Sequence, residues 1–320
     1  MSLRWSNYVL ARGGDDVTAV WEAGAKGGAT LYIVGEGFDP RSLLGLERLI
    51  AADVTGELSV ISLGLGPPRS SSVRAGLARE HVAALGALAA DSVITHTRIA
   101  YPEHLEESRS VGRLLFGAVY ELPQFKDASH IVVDISALPT NVYFALIAGV
   151  LDMADQAGWD GELQVVVAEN AAIDSVIHSE GPEAPAAISR FKFEVELDPR
   201  AERPVIVWAP VLGEGALAQL ETLQQALVPD EVCPVLPFPA RNPRRADDLL
   251  LELRSFLIDA LDVEPGNYIY ADESNPFDLY RGLSRLHERY RSGDTVIDIP
   301  VGSPFAQNFF ISDTFDTSNS

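Results

Sequence analysis

Cysteine is almost absent from this chain. Its 320 residues include one cysteine, Cys233, which excludes an intramolecular disulfide and a metal site made of several thiolates. Long apolar runs are missing as well. The most apolar segment, Val142–Leu151, has about half the length that a membrane-spanning helix needs, and no signal-peptide core follows Met1. We therefore expect a soluble protein of a reducing compartment, the cytoplasm.

Basic residues are scarce relative to acidic ones. Lys and Arg number 24 against 46 Asp and Glu, which gives a net charge of −22. The resulting field repels polyanions, so neither nucleic acid nor an anionic membrane surface is an expected partner. The content of 47% hydrophobic and 22% charged residues is that of a globular protein, and the length favours two domains.

Short β-branched runs alternate with longer helical patterns along most of the chain, which is typical of βαβ units. Continuous apolar runs such as Ile131–Val133 indicate parallel strands covered on both faces. The predicted fold class is α/β, a Rossmann-like three-layer α/β/α arrangement with a mostly parallel sheet and two lobes. At least four parallel strands should precede residue 170, and the loops after Val34 and Ile135 should lie at the same sheet edge.

The sequence pattern predicts where each strand and helix lies in the chain. Strands are predicted at Ala29–Val34, Leu58–Leu63, Ser92–Thr97, His130–Ile135, Leu163–Ala168, Pro204–Trp208, Val232–Leu236, Asn267–Tyr270 and Thr295–Ile299. Helices are predicted at Pro40–Ala52, Ser71–Ala90, Glu103–Glu121, Pro139–Ala157, Gly215–Leu227, Pro243–Leu261 and Pro276–Arg291.

Residues 1–180 are predicted to form a Rossmann-like α/β domain, and residues 204–311 a second α/β domain. Residues 181–203 interrupt the rhythm with three prolines around an alternating apolar and polar segment. This pattern indicates a junction with an edge strand or hairpin. Residues 312–320 form a polar tail. One long sheet remains the alternative to two lobes.

Ligands of open α/β sheets bind at the carboxyl ends of the strands. The loop after the first strand carries four candidate ligand-binding residues, Gly35, Glu36, Gly37 and Asp39. Its two glycines suit a nucleotide turn, but the third glycine of GxGxxG and the Lys-Ser/Thr of a P-loop are missing. The alternative is structural, since Asp39 before Pro40 is a strong helix N-cap. Asp39 places negative charge where a phosphate would bind, so a ribose hydroxyl, a sugar edge or a cation is the expected ligand of this loop.

Asp134 ends an apolar strand and is followed by Ser136. Both are candidate catalytic residues, with Asp134 as a general base or metal ligand. The alternative is a structural carboxylate that holds the loop through backbone N–H groups. Asn141, in the first turn of the next helix, and Asp272, after a strand of the second half, are candidate ligand-binding residues. Acidic loop ends of this kind suit Mg²⁺, but the spacing does not define a metal-ligand set.

Three arginines cluster at a predicted helix start. Arg244 and Arg245 lie in the first turn after Pro243, where positive charge opposes the helix dipole unless an anion is near. Together with Arg241 they are candidate anion-binding residues, because guanidinium groups bind phosphate or carboxylate bidentately. The alternative is local neutralisation by Asp247 and Asp248.

No motif defines a reaction. The expected function is binding of a nucleotide- or sugar-phosphate-like small molecule at the strand carboxyl edge, by a metal-assisted hydrolase or transferase. The alternative is a non-catalytic ligand sensor or a regulatory or interaction protein. Besides the small molecule, a second copy of the chain is an expected partner.

Overall fold

The computed structural model describes residues 8–24, 28–52, 56–64, 72–88, 93–98, 111–157, 159–168, 205–290 and 295–298. These residues belong to two compact units. The first unit contains the described residues between 9 and 168, and the second contains Tyr8 and the described residues between 205 and 298. The predicted junction at residues 181–203 and the predicted tail at residues 312–320 lie outside the described residues.

The first unit alternates helices and strands along its described part. In chain order these are α1 (Gly13–Gly24), β1 (Ala29–Gly35), α2 (Leu44–Ala51), β2 (Glu57–Gly64), α3 (Ser72–Leu88), β3 (Val93–Arg98), α4 (Val111–Tyr120), α5 (Pro123–Asp127), β4 (His130–Asp134), α6 (Thr140–Ala157) and β5 (Glu162–Val166). A 3₁₀ helix, Pro40–Leu43, directly precedes α2.

The five strands form one parallel sheet with the order β3-β2-β1-β4-β5. Tyr32 of β1 pairs with Val60 of β2 on one side and with Val132 of β4 on the other. The chain moves outward from β1 to β3 and then continues on the opposite side of β1, so the direction of strand order reverses there. More than four parallel strands thus precede residue 170, and the loops after Val34 and Ile135 share one edge, as the sequence predicts.

Both faces of the three central strands of the first sheet, β1, β2 and β4, are buried. On one face, sheet residues including Tyr32, Val34 and Val60 pack with side chains of α1, α2 and α3. On the other face, Ile33 and Val133 are completely buried. The continuous apolar runs of the sequence follow from this arrangement, because neither face of these strands meets water.

The second unit also combines parallel strands with helices. Its described elements are β6 (Val205–Trp208), α7 (Leu217–Leu227), β7 (Glu231–Val232), β8 (Val235–Pro237), α8 (Arg245–Glu252), β9 (Ile269–Ala271), α9 (Pro276–Tyr290) and β10 (Thr295–Asp298). Strands pair in the order β10-β6-β7, and β8 pairs with β9. The described protein is therefore mixed α/β with parallel sheets.

The predicted strand Val232–Leu236 is divided into β7 and β8. Pro234 lies between them and has no N–H to donate to a ladder, which limits regular pairing. The chain nevertheless continues beside β6, because the Cys233 N–H donates to the Trp208 carbonyl oxygen at 2.7 Å and the Val235 N–H to that of Pro210 at 2.8 Å. Cys233 is buried, and burial, followed by the charge of Glu231, raises its thiol pKa to about 11.

One predicted helix differs from the observed structure. The segment Pro243–Leu261 contains α8 followed by a π-helix, Ser255–Ala260, rather than one continuous α-helix. Of the predicted helix Glu103–Glu121, residues 103–110 lie outside the described residues and the described part contains α4, which ends at Tyr120. A new helix starts at Pro123, where proline suits the first helical turn. Within the described ranges, no helix combines the length and the apolar character required to cross a bilayer.

Candidate functional site

The loop after β1 extends the pairing of β1 with β2. The Glu36 N–H donates to the Leu63 carbonyl oxygen at 2.8 Å, and the Ser62 hydroxyl donates to Glu36 Oε1 at 2.8 Å. Glu36 is half-buried, and Ser62 is fully buried. The carboxylate of Glu36 is thus held at the carboxyl edge of the sheet by the neighbouring strand.

The two glycines of this loop allow the loop after β4 to approach closely. A Cβ atom on Gly35 would lie 2.9 Å from the Ala137 carbonyl oxygen and 2.9 Å from Leu138 Cδ2. A Cβ atom on Gly37 would lie 3.0 Å from the Ala137 Cβ atom. Both glycines are therefore explained by contact between two loops at the point where the strand order reverses, and a phosphate is not needed to account for them.

Asp39 caps the 3₁₀ helix Pro40–Leu43, as its position before Pro40 predicts. Its Oδ1 atom accepts hydrogen bonds from the backbone N–H and the Nε of Arg41, both at 2.9 Å, and its Oδ2 atom accepts one from Nη2 at 2.7 Å. Burial raises the pKa of Asp39, but the hydrogen bonds and charge of Arg41, with a smaller contribution from His81, lower it further, so the net shift is downward. Asp39 is an ionised carboxylate in a structural pair.

His81 of α3 reaches this loop and is not among the residues that the sequence pattern selects. Its Nδ1 atom lies 2.9 Å from the Gly37 carbonyl oxygen. Because a carbonyl oxygen only accepts, Nδ1 carries the proton, and in a neutral ring Nε2 is an acceptor. The histidine could not be found from local sequence, since helical spacing does not show which loop α3 packs against.

Asp134 lies at the end of β4 and has no solvent-exposed surface. Its Oδ2 atom accepts a hydrogen bond of 2.5 Å from the Tyr32 hydroxyl, and its Oδ1 atom accepts one of 2.9 Å from the Ser136 N–H. Burial raises the pKa of Asp134, although the hydrogen bonds from Ser136 and Tyr32 oppose this shift. The geometry favours the structural interpretation, in which Asp134 holds the loop.

Ser136 and Asn141 also make structural contacts near this loop. The Ser136 hydroxyl accepts a hydrogen bond from the Ala168 N–H at 2.8 Å, which joins the loops after β4 and β5. The Asn141 backbone carbonyl lies against Gly112 of α4, where a Cβ atom would overlap it. Asn141 is half-buried in the first turn of α6, as predicted.

Of the three candidate arginines, Arg245 has its side chain held by glutamates from two other loops. Arg245 donates from Nε and Nη2 to the two carboxylate oxygens of Glu214, both at 2.9 Å, and from Nη1 to Glu273. The Arg245 side chain is 10% exposed, compared with 52% for Glu214 and 20% for Glu273. Arg241 joins through its backbone N–H, which donates to Glu273 at 2.8 Å. Arg244 is exposed. The charge of Arg245 is therefore balanced within the protein, by partners outside its own helix.

Asp272 organises the loop before α9. Its Oδ1 atom accepts hydrogen bonds from the N–H and the hydroxyl of Ser274, at 2.7 and 2.6 Å. Asn275 then caps α9 by accepting from the Phe277 N–H at 3.1 Å. These hydrogen bonds are typical of an Asx turn and of a helix N-cap.

The predicted site residues thus fall into separate groups. Glu36, Gly37 and Asp39 lie together with Ser62 and His81 in the first unit. Asp134 and Ser136 are hydrogen-bonded to each other in the same unit, whereas Arg241, Arg245 and Asp272 belong to the second unit. Among the residues that the structure describes, no three His, Cys, Asp or Glu side chains are grouped to hold a metal ion. The chain matches no protein-family model and no curated protein sequence.

Proposed function

We propose that this protein binds a small molecule with neighbouring hydroxyl groups, the ribose of a nucleotide or a sugar phosphate, at the carboxyl edge of the first sheet. The observation that carries this proposal is the position of Glu36. Its carboxylate is held by Ser62 where the loops after β1 and β4 meet. In open parallel sheets, ligands bind at the edge where the strand order reverses.

We also propose a specific architecture for the first unit. The order β3-β2-β1-β4-β5 and the burial of both sheet faces support a Rossmann-like three-layer arrangement for the first unit, with the second unit as a separate lobe. On this proposal the ligand edge of the first sheet is formed by the loops after β1 and β4.

The charges at the edge favour hydroxyl groups over a phosphate directly at the β1 loop. Glu36 is a carboxylate, which accepts hydrogen bonds from hydroxyl donors but repels a phosphate, whereas the charge of Asp39 is balanced by Arg41. In its neutral form, the His81 ring has an acceptor nitrogen at Nε2. Any phosphate of the ligand would therefore lie away from Glu36, at a distance set by the rest of the molecule.

We favour a binding or sensor protein over an enzyme. Asp134, the strongest candidate for a general base, is completely buried and accepts hydrogen bonds on both oxygens. The Ser136 hydroxyl accepts from the Ala168 N–H, and Asp39 is paired with Arg41. The two candidate catalytic side chains, Asp134 and Ser136, thus hold the loops in place. The metal-assisted hydrolase or transferase is the alternative.

The remaining proposals concern partners and location. The net charge of −22 supports a small molecule rather than nucleic acid or a membrane surface as the partner. The single, buried cysteine supports a reducing compartment, the cytoplasm, and a second copy of the chain is the proposed protein partner.

Thermal unfolding with a set of related compounds tests the ligand class. Adenosine, adenosine monophosphate and ribose 5-phosphate are compared with inorganic phosphate, each with and without Mg²⁺. A ribose-bearing compound at about 100 times its Kd should stabilise the wild type by about 2.7 kcal/mol, whereas phosphate alone should have no effect. The proposal would be contradicted if phosphate alone stabilised the protein, or if no ribose compound stabilised it.

Two matched variants locate the binding residue. Glu36→Gln removes the charge at the proposed site, and Glu47→Gln removes the same charge from an exposed position on α2. The Glu36 variant should lose the response to ribose compounds, and the Glu47 variant should keep it. Incubation of each compound with the wild type, followed by chromatography, distinguishes a binding protein from an enzyme. Conversion of a compound into product would show that the protein is an enzyme.

A further inference from the structure

A hydrogen-bonded series of polar groups leads from β1 to the loop after β4, which contacts the β1 loop. The Tyr32 hydroxyl, the Asp134 carboxylate and the Ser136 N–H form one hydrogen-bonded series, with distances of 2.5 and 2.9 Å. Tyr32 and Asp134 have no exposed surface. Gly45 of α2 covers them so closely that a Cβ atom there would overlap the Tyr32 hydroxyl and lie 2.8 Å from Asp134 Oδ2. We call Tyr32, Asp134 and Ser136 the polar link.

The polar link connects the elements that carry the site loop. Tyr32 lies on β1, three residues before Gly35, and Ser136 directly precedes Ala137. Ala137 packs against Gly35 and Gly37, the two neighbours of Glu36 in the chain. A change in the position of Ser136 would therefore be transmitted through Ala137 to the backbone on both sides of Glu36.

The link carries a cost that hydrophobic residues would avoid. Burying a carboxylate is unfavourable unless hydrogen bonds compensate. Apolar side chains such as Val34 and Val132 are buried in the same core without this cost. A polar group in this position specifies geometry, because its hydrogen bonds have preferred lengths and directions.

We propose that Tyr32 and Asp134 are positioning residues that set the conformation of the β1 loop through Ser136 and Ala137, and thereby the geometry of Glu36 for its ligand. The effect on Glu36 and its ligand rests on the proposed function, whereas the positioning of the loop does not. Neither residue needs to touch the ligand.

Hydrogen exchange of the ligand-free protein, followed by mass spectrometry, tests the positioning step alone. Tyr32→Phe removes the hydroxyl and keeps the ring. Exchange in residues 36–39 and 136–138 should become roughly fivefold to tenfold faster, the factor that one net hydrogen bond is worth. Ile131→Val is the matched control, because Ile131 is buried on the same strand as Asp134 without a polar side chain. It should leave exchange in both loops unchanged.

Two substitutions of Asp134 provide a second, independent comparison. Asp134→Asn keeps an acceptor for the Ser136 N–H and an amide donor for the Tyr32 oxygen, whereas Asp134→Ala removes the link. The Asn variant should keep loop exchange near that of the wild type, and the Ala variant should increase it at least as much as Tyr32→Phe. Unchanged loop exchange in both Tyr32→Phe and Asp134→Ala would overturn the proposal, as would equal acceleration throughout the first unit.

Calorimetric titration with adenosine monophosphate separates this inference from the proposed function. If the wild type binds, Tyr32→Phe should weaken binding by about fivefold or more, while Asp134→Asn and Ile131→Val should stay near the wild-type affinity. Loss of binding in Asp134→Asn with normal loop exchange would instead show a direct role for this carboxylate and overturn the positioning role. Faster loop exchange in Tyr32→Phe, without binding of any ribose compound to the wild type, would support the link and refute the proposed function.

Discussion

Two buried charged side chains organise loops in this protein. Asp134 joins β1 to the loop after β4, and Arg245 joins the loop that contains Glu214 to the one that contains Glu273. Each was a candidate for direct ligand contact on sequence grounds. Both now have partners within the fold, and their removal should affect stability in ways that differ from the loss of a ligand contact.

The ionisation of Asp134 should make stability depend on pH. Its pKa is raised in the folded protein, so its proton contributes stability that is complete below the unfolded-state pKa and is lost as pH rises through the folded-state pKa. Asp134→Asn has no such proton. We expect the unfolding free energy of the wild type minus that of Asp134→Asn to fall as pH rises above about 4, the usual pKa of an aspartate in an unfolded chain. Urea unfolding at a series of pH values measures this difference, and a flat or rising difference would contradict the prediction.

The ion pairs of Arg245 should stabilise the second unit. Arg245→Gln leaves Glu214 and Glu273 without their shared partner, and we expect a loss of about 1–3 kcal/mol, toward the lower end because Glu214 is half exposed. Arg244→Gln, at the exposed N-cap position directly before Arg245, should change stability by less than about 0.5 kcal/mol. Chemical denaturation at neutral pH compares the two variants. Equal, small effects together with loss of a sulfate response would restore the anion-binding interpretation of this cluster.

At the scale of elements, close contact between loops and helices decides where small residues are required. Gly35 and Gly37 allow the loops after β1 and β4 to meet, and Gly45 allows α2 to lie on the polar link. The sequence pattern correctly predicts that the two glycines of the β1 loop lie at the carboxyl edge of the first sheet. It does not distinguish glycines needed for a phosphate from glycines needed for packing, since both uses require the absence of a Cβ atom.

A pair of glycine substitutions tests this packing. Alanine is the better helix former by about 0.5–1 kcal/mol, so Gly117→Ala, at an exposed position of α4 with open space for the methyl group, should raise stability by about that amount. Gly45→Ala should instead lower stability by about 1–3 kcal/mol, because its methyl group would overlap the Tyr32 hydroxyl. Thermal and urea unfolding of both variants provide the measurement. Similar changes of the same sign would show that Gly45 is replaceable.

At the scale of the whole molecule, the excess of acidic over basic residues should make stability depend on salt concentration. A net charge of −22 produces repulsion between surface carboxylates that salt screens. We expect the midpoint of thermal unfolding to rise when NaCl is increased from about 10 to about 150 mM, a range over which the screening length falls from about 30 to about 8 Å. A midpoint that falls over this range would show that attractive ion pairs, such as those of Arg245, outweigh the repulsion.

Much of this architecture follows from local patterns. Apolar runs, helical spacing and cap residues predict the mixed α/β class, the parallel strands of the first sheet and helix starts such as that after Asp39, because each depends on residues a few positions apart. The partners of the site residues depend on distant ones: Tyr32 and Asp134 are 102 positions apart, and Arg245 lies 31 and 28 positions from Glu214 and Glu273. Strand order and register bring these residues together, and a charge or hydroxyl in the sequence does not reveal whether its partner will be solvent, a ligand or the protein itself. Tertiary packing therefore decided that Asp134 and Arg245 hold loops, and that Ser62 and His81 join Glu36 at the edge of the first sheet.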